Sequence, residues 1–256
     1  MNPIKNFIQN FRSKDIPAVL VVGMDDETHG IGFEGMIPWR EKDDMKFFKD
    51  TTVGKVRFDG NYNTIVCGGN TYVSFGEKNL PNRHLIVVSK TMYDKYKPEL
   101  SRRVIQTDSC IVDYDPKSRL YTAYIKDINS VSLAFRAIEV ESRYYYGTLF
   151  VIGGSMIYDE FMKGKVRNVY IKTAFVTHIV FNDTVANSLK DKSRDVPVFI
   201  KQYGHKYDTF FSYFMLTVKN RFKIVKRIPL GKHYITRHEF NMFASKRLQD
   251  YTQYKI

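Results

Sequence analysis

The residues best suited to chemistry begin in a glycine-rich loop, Gly30-Ile31-Gly32-Phe33-Glu34-Gly35-Met36-Ile37-Pro38-Trp39, and continue into an acidic and aromatic run between Arg40 and Thr52. Asp44 comes five residues after the tryptophan, and Phe48 four after Asp44. Helical spacing over Lys42 to Thr51 puts Met45, Phe48 and Thr52 near one face, with Asp44 and Phe48 projecting from the same side. A carboxylate beside a phenyl ring can be ordinary amphipathic packing, with Arg40 or Lys46 holding it at the surface. The spacing alone does not choose between that packing and a working carboxylate.

Elements that could position such a group surround it. Ile16 to Met24 is a continuous apolar run, short and β-branched, which predicts a buried parallel strand ending in the turn-rich 25–30 segment. Asn63 to Cys67 predicts a second strand, followed by Gly68-Gly69-Asn70-Thr71 and a helix. Thr148 to Ile152 predicts another, followed by Gly153-Gly154-Ser155 and a helix through Phe161. Glycines at a strand end let backbone N–H groups approach a phosphate, and α/β folds place ligands at the carboxyl ends of strands. Further strands are predicted at His84 to Ser89, Tyr121 to Ile125 and Val169 to Val180, and a helix at Ser130 to Ser142. Phe222 to Ile228 and His233 to Phe240 alternate around Pro229-Leu230-Gly231-Lys232 and predict an antiparallel hairpin. Residues 92–120 and 182–207 read as polar, irregular insertions. Residues 1–15 read as an extension with a short helix on Phe7, Ile8 and Phe11, and 241–256 as a tail. Strands alternating with helices and closed by a hairpin argue an α/β domain over 16–240, its sheet mostly parallel with an antiparallel edge.

The 256 residues suit one large domain or a domain with extensions, and 43% hydrophobic with 15% aromatic residues argues against a disordered chain. A net charge of +13 fits a lysine-rich surface, an anionic substrate or nucleic acid. The basic residues are spread along the chain and form no run of five or more, so charge alone does not separate these readings. Cys67 and Cys110 sit in no Cys-x-x-Cys pair, which argues against zinc and for a reducing, cytoplasmic setting. No metal site is expected. No apolar stretch is long enough to cross a bilayer, and Met1 to Lys14 lacks the apolar core of a secretory signal.

In order and wording these pieces resemble dihydrofolate reductase over most of residues 17–240. The resemblance is carried by Ile31-Gly-x-x-Gly-x-Ile-Pro-Trp39, Asp44-x-x-x-Phe48-x-x-x-Thr52, Gly68-x-x-Thr71-x-x-Ser74 and Leu80-Pro-x-Arg83. It continues in Ile86 to Ser89, Phe150-Val-Ile-Gly-Gly-Ser-x-Ile-Tyr158 and Asp208-Thr209-Phe210-Phe211. The fold it implies is a mostly parallel central sheet with a C-terminal antiparallel hairpin and flanking helices. The activity it implies is NADPH-dependent reduction of 7,8-dihydrofolate to tetrahydrofolate, by a monomer or homodimer open to antifolates such as methotrexate.

The resemblance also implies roles. Asp44 would promote protonation of the pterin, since a carboxyl in an apolar pocket has a raised proton affinity. Trp39 would order water beside it. Phe48 would pack on the pterin and benzoyl rings, Ile37 and Trp39 would cover them, and Phe75 and Leu80 would line the aminobenzoyl channel. Arg83 would grip the glutamate carboxylate with its planar fork. The backbone at Val22 and Met24 would meet the pterin amine and the nicotinamide amide, and Ile152 and Tyr158 would complete the pocket near the nicotinamide. Gly153, Gly154, Ser155, Met156 and Ile157 would face the pyrophosphate. Gly68, Asn70, Thr71 and Ser74 would add cofactor contacts, and Ser89 and Lys90 would read the 2′-phosphate. Ile31 and Gly35 belong to the loop, Gly30 to Met36, that would close over the reacting rings.

Two positions depart from the family wording. Gly69 stands where an arginine or lysine usually contacts cofactor phosphate, leaving Lys90 or Lys126 to compensate. The family threonine that bonds the carboxylate falls by simple counting on Lys172. Thr173 with a local shift is the reading adopted, and Thr177-His178-Ile179 also carries family wording. These departures, the charge and the insertions keep open a second class, a non-catalytic binding or structural protein on the same fold. A riboflavin-pathway reductase of related fold is disfavoured by Pro38-Trp39, Asp44 and Leu80-Pro81-x-Arg83, which suit a pterin and a glutamate tail.

Overall fold

The computed structural model describes residues 15–54, 62–99, 103–143, 147–181, 207–217 and 221–241. The expected helix on Phe7, Ile8 and Phe11, nearly all of the 182–207 insertion and the tail beyond 241 lie outside the described residues. Along the chain the strands are β1 (Ile16–Asp25), β2 (Gly30–Gly32), β3 (Asn63–Gly68), β4 (Arg83–Val88), β5 (Arg103–Gln106) and β6 (Cys110–Asp115). They continue with β7 (Leu120–Ile125), β8 (Leu149–Val151), β9 (Val169–Ile179), β10 (Thr209–Phe210), β11 (Phe222–Leu230) and β12 (His233–Phe240). The helices are α1 (Lys42–Val53), α2 (Gly69–Ser74), α3 (Lys90–Glu99), α4 (Val131–Ser142), α5 (Ser155–Met162) and α6 (Phe214–Thr217).

Two compact units share the chain: residues 1–19 with 49–171, and 20–48 with 172–256. In the first, β8-β3-β4-β7 are hydrogen-bonded neighbours and every pair among them is parallel. Ile65, Val66, Cys67, Leu85, Ile86 and Val87 have no exposed surface. Burial on both faces explains why these strands read as unbroken apolar runs rather than alternating ones. α4 supplies part of the cover. Val131, Ala134, Phe135 and Ile138 recur at helical spacing and are all buried.

One expectation fails in this unit. Residues 92–120 are not irregular: they hold α3 and the antiparallel strands β5 and β6, which extend the sheet past β7. Their polarity misled because burial is confined to the start of β6, where Cys110, Ile111 and Val112 are buried on both faces while Asp113, Tyr114 and Asp115 are only half covered. Thr107 closes the β5–β6 turn by accepting the Cys110 N–H at 3.0 Å.

The second unit is an antiparallel meander, β11-β12-β9, with β1 beside β9 and the Asp26 N–H donating to the Ile179 carbonyl. The hairpin is tighter than expected. Leu230 pairs with His233, so only Gly231 and Lys232 make the turn, and Gly231 has φ +58°. β10 pairs with β2.

Candidate active site

In the second unit, α1 opens with Glu41 at its cap, whose carbonyl accepts the Met45 N–H at 3.0 Å. Asp44 therefore sits in the first turn, where backbone N–H groups favour a carboxylate. Its carboxyl points at the β1 backbone: a Cβ built on Gly23 would lie 3.1 Å from Asp44 Oδ2. A side chain at this position would require the carboxyl to give by a few tenths of an ångström. The Trp39 indole Nε1–H donates to Asp44 Oδ2 at 3.4 Å, a long bond, and Trp39 is almost fully buried. Thr177 on β9 faces the same carboxyl and favours its charged form. Desolvation raises the proton affinity of Asp44 and outweighs Thr177 and Trp39, which lower it. The carboxyl is thus biased toward its neutral, proton-donating form.

The threonine at this carboxyl is Thr177, not the expected Thr173. The two share one face of β9, since side chains alternate, but lie four residues apart, roughly 13 Å along a strand. Thr173 pairs with Glu239 and Thr177 with Ile235. Lys172, the residue reached by counting, is exposed on the opposite face and does not face the carboxyl. The signal that could have found Thr177 was the wording of Thr177-His178-Ile179. What hid it was register, which no local spacing states.

Other expected residues of this unit fall as follows. Val22 and Met24 are buried on β1, Phe48 is half-buried one turn after Asp44, and Ile37 is 50% exposed. Phe47, one residue earlier, packs edge-on against Phe175 at 5.8 Å. The Gly30 to Met36 loop is a tight hairpin. Phe33 and Met36 exchange both backbone bonds around Glu34 and Gly35, which have φ +49° and +76°. Asp208 Oδ2 accepts the Glu34 N–H at 2.7 Å, and the Tyr207 ring lies against Gly30 while its hydroxyl donates to Asp25 Oδ2 at 2.8 Å.

In the first unit, the two glycine junctions meet. The Gly68 N–H donates to the Gly153 carbonyl at 2.8 Å, and the Ile152 N–H donates to the Val66 carbonyl at 3.0 Å. Gly153 has φ +129°, and a Cβ there or on Gly154 would lie 3.5 or 3.4 Å from Thr71 Oγ1. Gly154 caps α5 with no side-chain bond, so the first-turn N–H groups of Ser155, Met156 and Ile157 are left for an outside acceptor. Ile157 and Tyr158 are buried, whereas Met156 is 78% exposed. Ser74 and Asn70 are exposed on α2, and Ser74 Oγ donates to the Thr71 carbonyl. Ser89 Oγ accepts the Met92 N–H at 3.2 Å and so caps α3, whose first residue is the exposed Lys90. That hydroxyl would be 2.8 Å from a Cβ on Gly69, so a larger residue at 69 must displace the α3 cap.

Arg83 is 4% exposed, its Nε donating to the Pro81 carbonyl and an Nη to Thr52 Oγ1 at 2.8 Å. Thr52, recognised only as a motif position, is one of the groups that hold the guanidinium. Phe75 and Leu80 are half-buried nearby in sequence, and Ile152 is buried. Among the described residues no group of three His, Cys, Asp or Glu could hold a metal ion, and no helix is long and apolar enough to cross a membrane.

Residues 18–123 match the family model described as Dihydrofolate reductase. The chain is 30% identical to the dihydrofolate reductase of Schistosoma mansoni over 162 residues, covering 62% of this chain and 71% of that enzyme. It is 26% identical to the Saccharomyces cerevisiae enzyme over 147 residues, 57% of this chain and 59% of the relative. The Enterococcus faecium enzyme is 30% identical over 48% of this chain and 66% of its own length. The chain thus spans about six tenths of these last two relatives. A solved dihydrofolate reductase from Enterococcus faecalis, complexed with NADP(H) and RAB-propyl, shares the fold. Its TM-score is 0.50 at 19% identity, over 88% of this chain and 96% of that one.

Proposed function

Because the chain belongs to the dihydrofolate reductase family, we propose that it reduces 7,8-dihydrofolate to tetrahydrofolate with NADPH. The observation that carries the reading is the Asp44 carboxyl: ionisable, enclosed by Trp39, Thr177 and the Gly23 backbone, and held toward its neutral form by burial. NADPH, when bound, supplies the hydride. The residues present fit it, since the glycine pair at 153–154 leaves room beside Thr71 and the uncapped α5 offers N–H groups to a phosphate. Ser89 and Lys90 are our candidates for the 2′-phosphate.

In this reading Asp44 keeps a proton available for the pterin N5, and Trp39 and Thr177 hold its carboxyl in one orientation. Phe48 and Ile37 exclude water from the rings, and Arg83 binds the glutamate carboxylate, its fork set by Thr52. We place the protein in the cytoplasm, as its free, buried Cys67 and Cys110 suit a reducing compartment. The test is a spectrophotometric assay with dihydrofolate, run in parallel with NADPH and NADH, alongside methotrexate titration. Purified chain that neither oxidises NADPH with dihydrofolate nor binds methotrexate would overturn the proposal.

A further inference from the structure

In the first unit, four groups from separate places in the chain close into a ring around residues 75–80. Glu77 lies within that segment, Tyr72 on α2, Tyr96 on α3 and Tyr124 on β7. The Tyr72 hydroxyl donates to the Glu77 carbonyl at 2.9 Å, and the Glu77 N–H donates to the Tyr72 carbonyl at 3.1 Å. Tyr72 has a single hydroxyl proton, so at the 3.0 Å contact between the Tyr72 and Tyr124 hydroxyls Tyr124 is the donor. The Tyr96 hydroxyl donates to Glu77 Oε2, and the Tyr96 ring stacks on the Tyr124 ring at 4.4 Å and 27°. Tyr72 and Tyr124 are buried.

Glu77 has φ +55°, a left-handed conformation uncommon for residues other than glycine. Such a conformation persists where the surroundings over-determine it, and here both the backbone and the carboxylate of the residue are held. Lys95 Nζ also lies 2.7 Å from Glu77 Oε2, but its side chain is 44% exposed, and ion pairs at such sites contribute little. The tyrosine hydroxyls, better screened from water, are the stronger ties. Two residues on, Asn79 Oδ1 accepts the Thr122 hydroxyl at 2.8 Å, which joins the segment to β7 a second time. Phe75 and Leu80 are the half-buried ends of this fastened segment.

We propose that Glu77, locked by Tyr72 and Tyr96, is a positioning residue for substrate binding: it fixes segment 75–80 and so holds Phe75 and Leu80 as the wall against the aminobenzoyl-glutamate part of the substrate. The inference rests on the reading of the chain as a dihydrofolate reductase and of those two side chains as that wall. Glu77 does not touch the substrate in this account. Its backbone carbonyl binds the segment to α2 and its carboxylate binds it to α3, so truncating the side chain releases one of the two anchors.

The test uses the full chain in the wild type, Glu77→Ala, Tyr96→Phe and Glu77→Gln. Glu77→Ala removes the acceptor, Tyr96→Phe removes the donor and keeps the stacked ring, and Glu77→Gln keeps an acceptor oxygen. Amide hydrogen exchange over 75–80 reads the anchoring in the free chain. Calorimetry reads affinity for methotrexate and for 2,4-diamino-6-methylpteridine, the head group of methotrexate without its tail. Glu77→Ala and Tyr96→Phe should speed exchange over 75–80 and weaken methotrexate about fivefold, the scale of one hydrogen bond, with head-group affinity unchanged. Glu77→Gln should behave as wild type, and the double variant should be no worse than either single one, since both cut the same bond. Exchange unmoved in a folded Glu77→Ala chain would overturn the inference. So would faster exchange with methotrexate and the head group weakened alike, which is the mark of a general loss of structure. A wild-type chain that binds neither ligand would sink the proposed reaction and this role with it, whereas a wild type that binds both, with variants that leave their affinity ratio unchanged, would sink this role alone.

Discussion

Replacing Asp44 by asparagine separates the chemistry of the carboxyl from its shape. The amide has the same size and can still meet Trp39 and Thr177, but it cannot hold a transferable proton. A positioned acid contributes about 10²–10⁴ in rate. Asp44→Asn should lower turnover with dihydrofolate at neutral pH by that factor, roughly 3–5 kcal/mol of barrier. Stability should move the other way. Burial raises the pKa of Asp44 in the folded chain above its unfolded value. The contribution of the neutral form is fully present below the unfolded pKa and is lost as pH rises through the folded one. Each unit of elevation corresponds to about 1.4 kcal/mol. The neutral asparagine is free of that loss, so the variant should melt no lower than wild type at neutral pH and lose its advantage in acid. The assay is a pH–rate profile by absorbance of the reduced nicotinamide, paired with thermal melts at two pH values and NADPH binding by fluorescence. Wild-type turnover should fall as pH rises through the folded pKa, while the residual rate of the variant should be flat. Turnover within threefold of wild type, or a variant that melts well below it at neutral pH, would refute the assignment of a buried acid.

Three other substitutions test neighbouring parts of the argument. Thr177→Val removes a hydroxyl that lowers the pKa of Asp44, so the basic limb of the pH–rate profile should move up and turnover should fall about fivefold, near 1 kcal/mol. Thr173→Val should leave both unchanged, and the reverse ranking would show that the register argument is wrong. Gly153→Ala forces a side chain into φ +129° beside Thr71. It should weaken NADPH binding by about 1–3 kcal/mol, roughly 5- to 150-fold, while methotrexate affinity measured without cofactor stays put. Gly30→Ala drives a methyl to 2.1 Å from the Tyr207 ring, which should destabilise the loop by about 1–3 kcal/mol. Limited proteolysis of the 30–36 segment reads that loss, and an unchanged cleavage rate would count against the packing described.

Much of the molecule was legible from local wording. The parallel strands announced themselves because burial on both faces demands unbroken apolar runs, as in Ile65, Val66 and Cys67. α1 was legible from the spacing of Asp44 and Phe48, and the two strand–helix junctions from the glycine pairs Gly68-Gly69 and Gly153-Gly154. These are properties of adjacent residues, set by backbone sterics and side-chain period, so the order of residues alone determined them. Other features needed tertiary structure because their partners lie far apart in the chain. The identity of the threonine at Asp44 depended on the register of β9, and a four-residue offset is invisible to a two-residue period. Glu41 looked like one more charge in an acidic run until the β11–β12 turn, some 190 residues later, brought Lys232 and His233 against it. Residues 92–120 looked irregular because the buried run in β6 is short, Cys110 to Val112, and its pairing with β5 and β7 is a matter of register. The wording of the chain thus settled which chemical groups are present and which elements carry them. Strand register and turn placement decided which neighbours set the proton affinity of the Asp44 carboxyl.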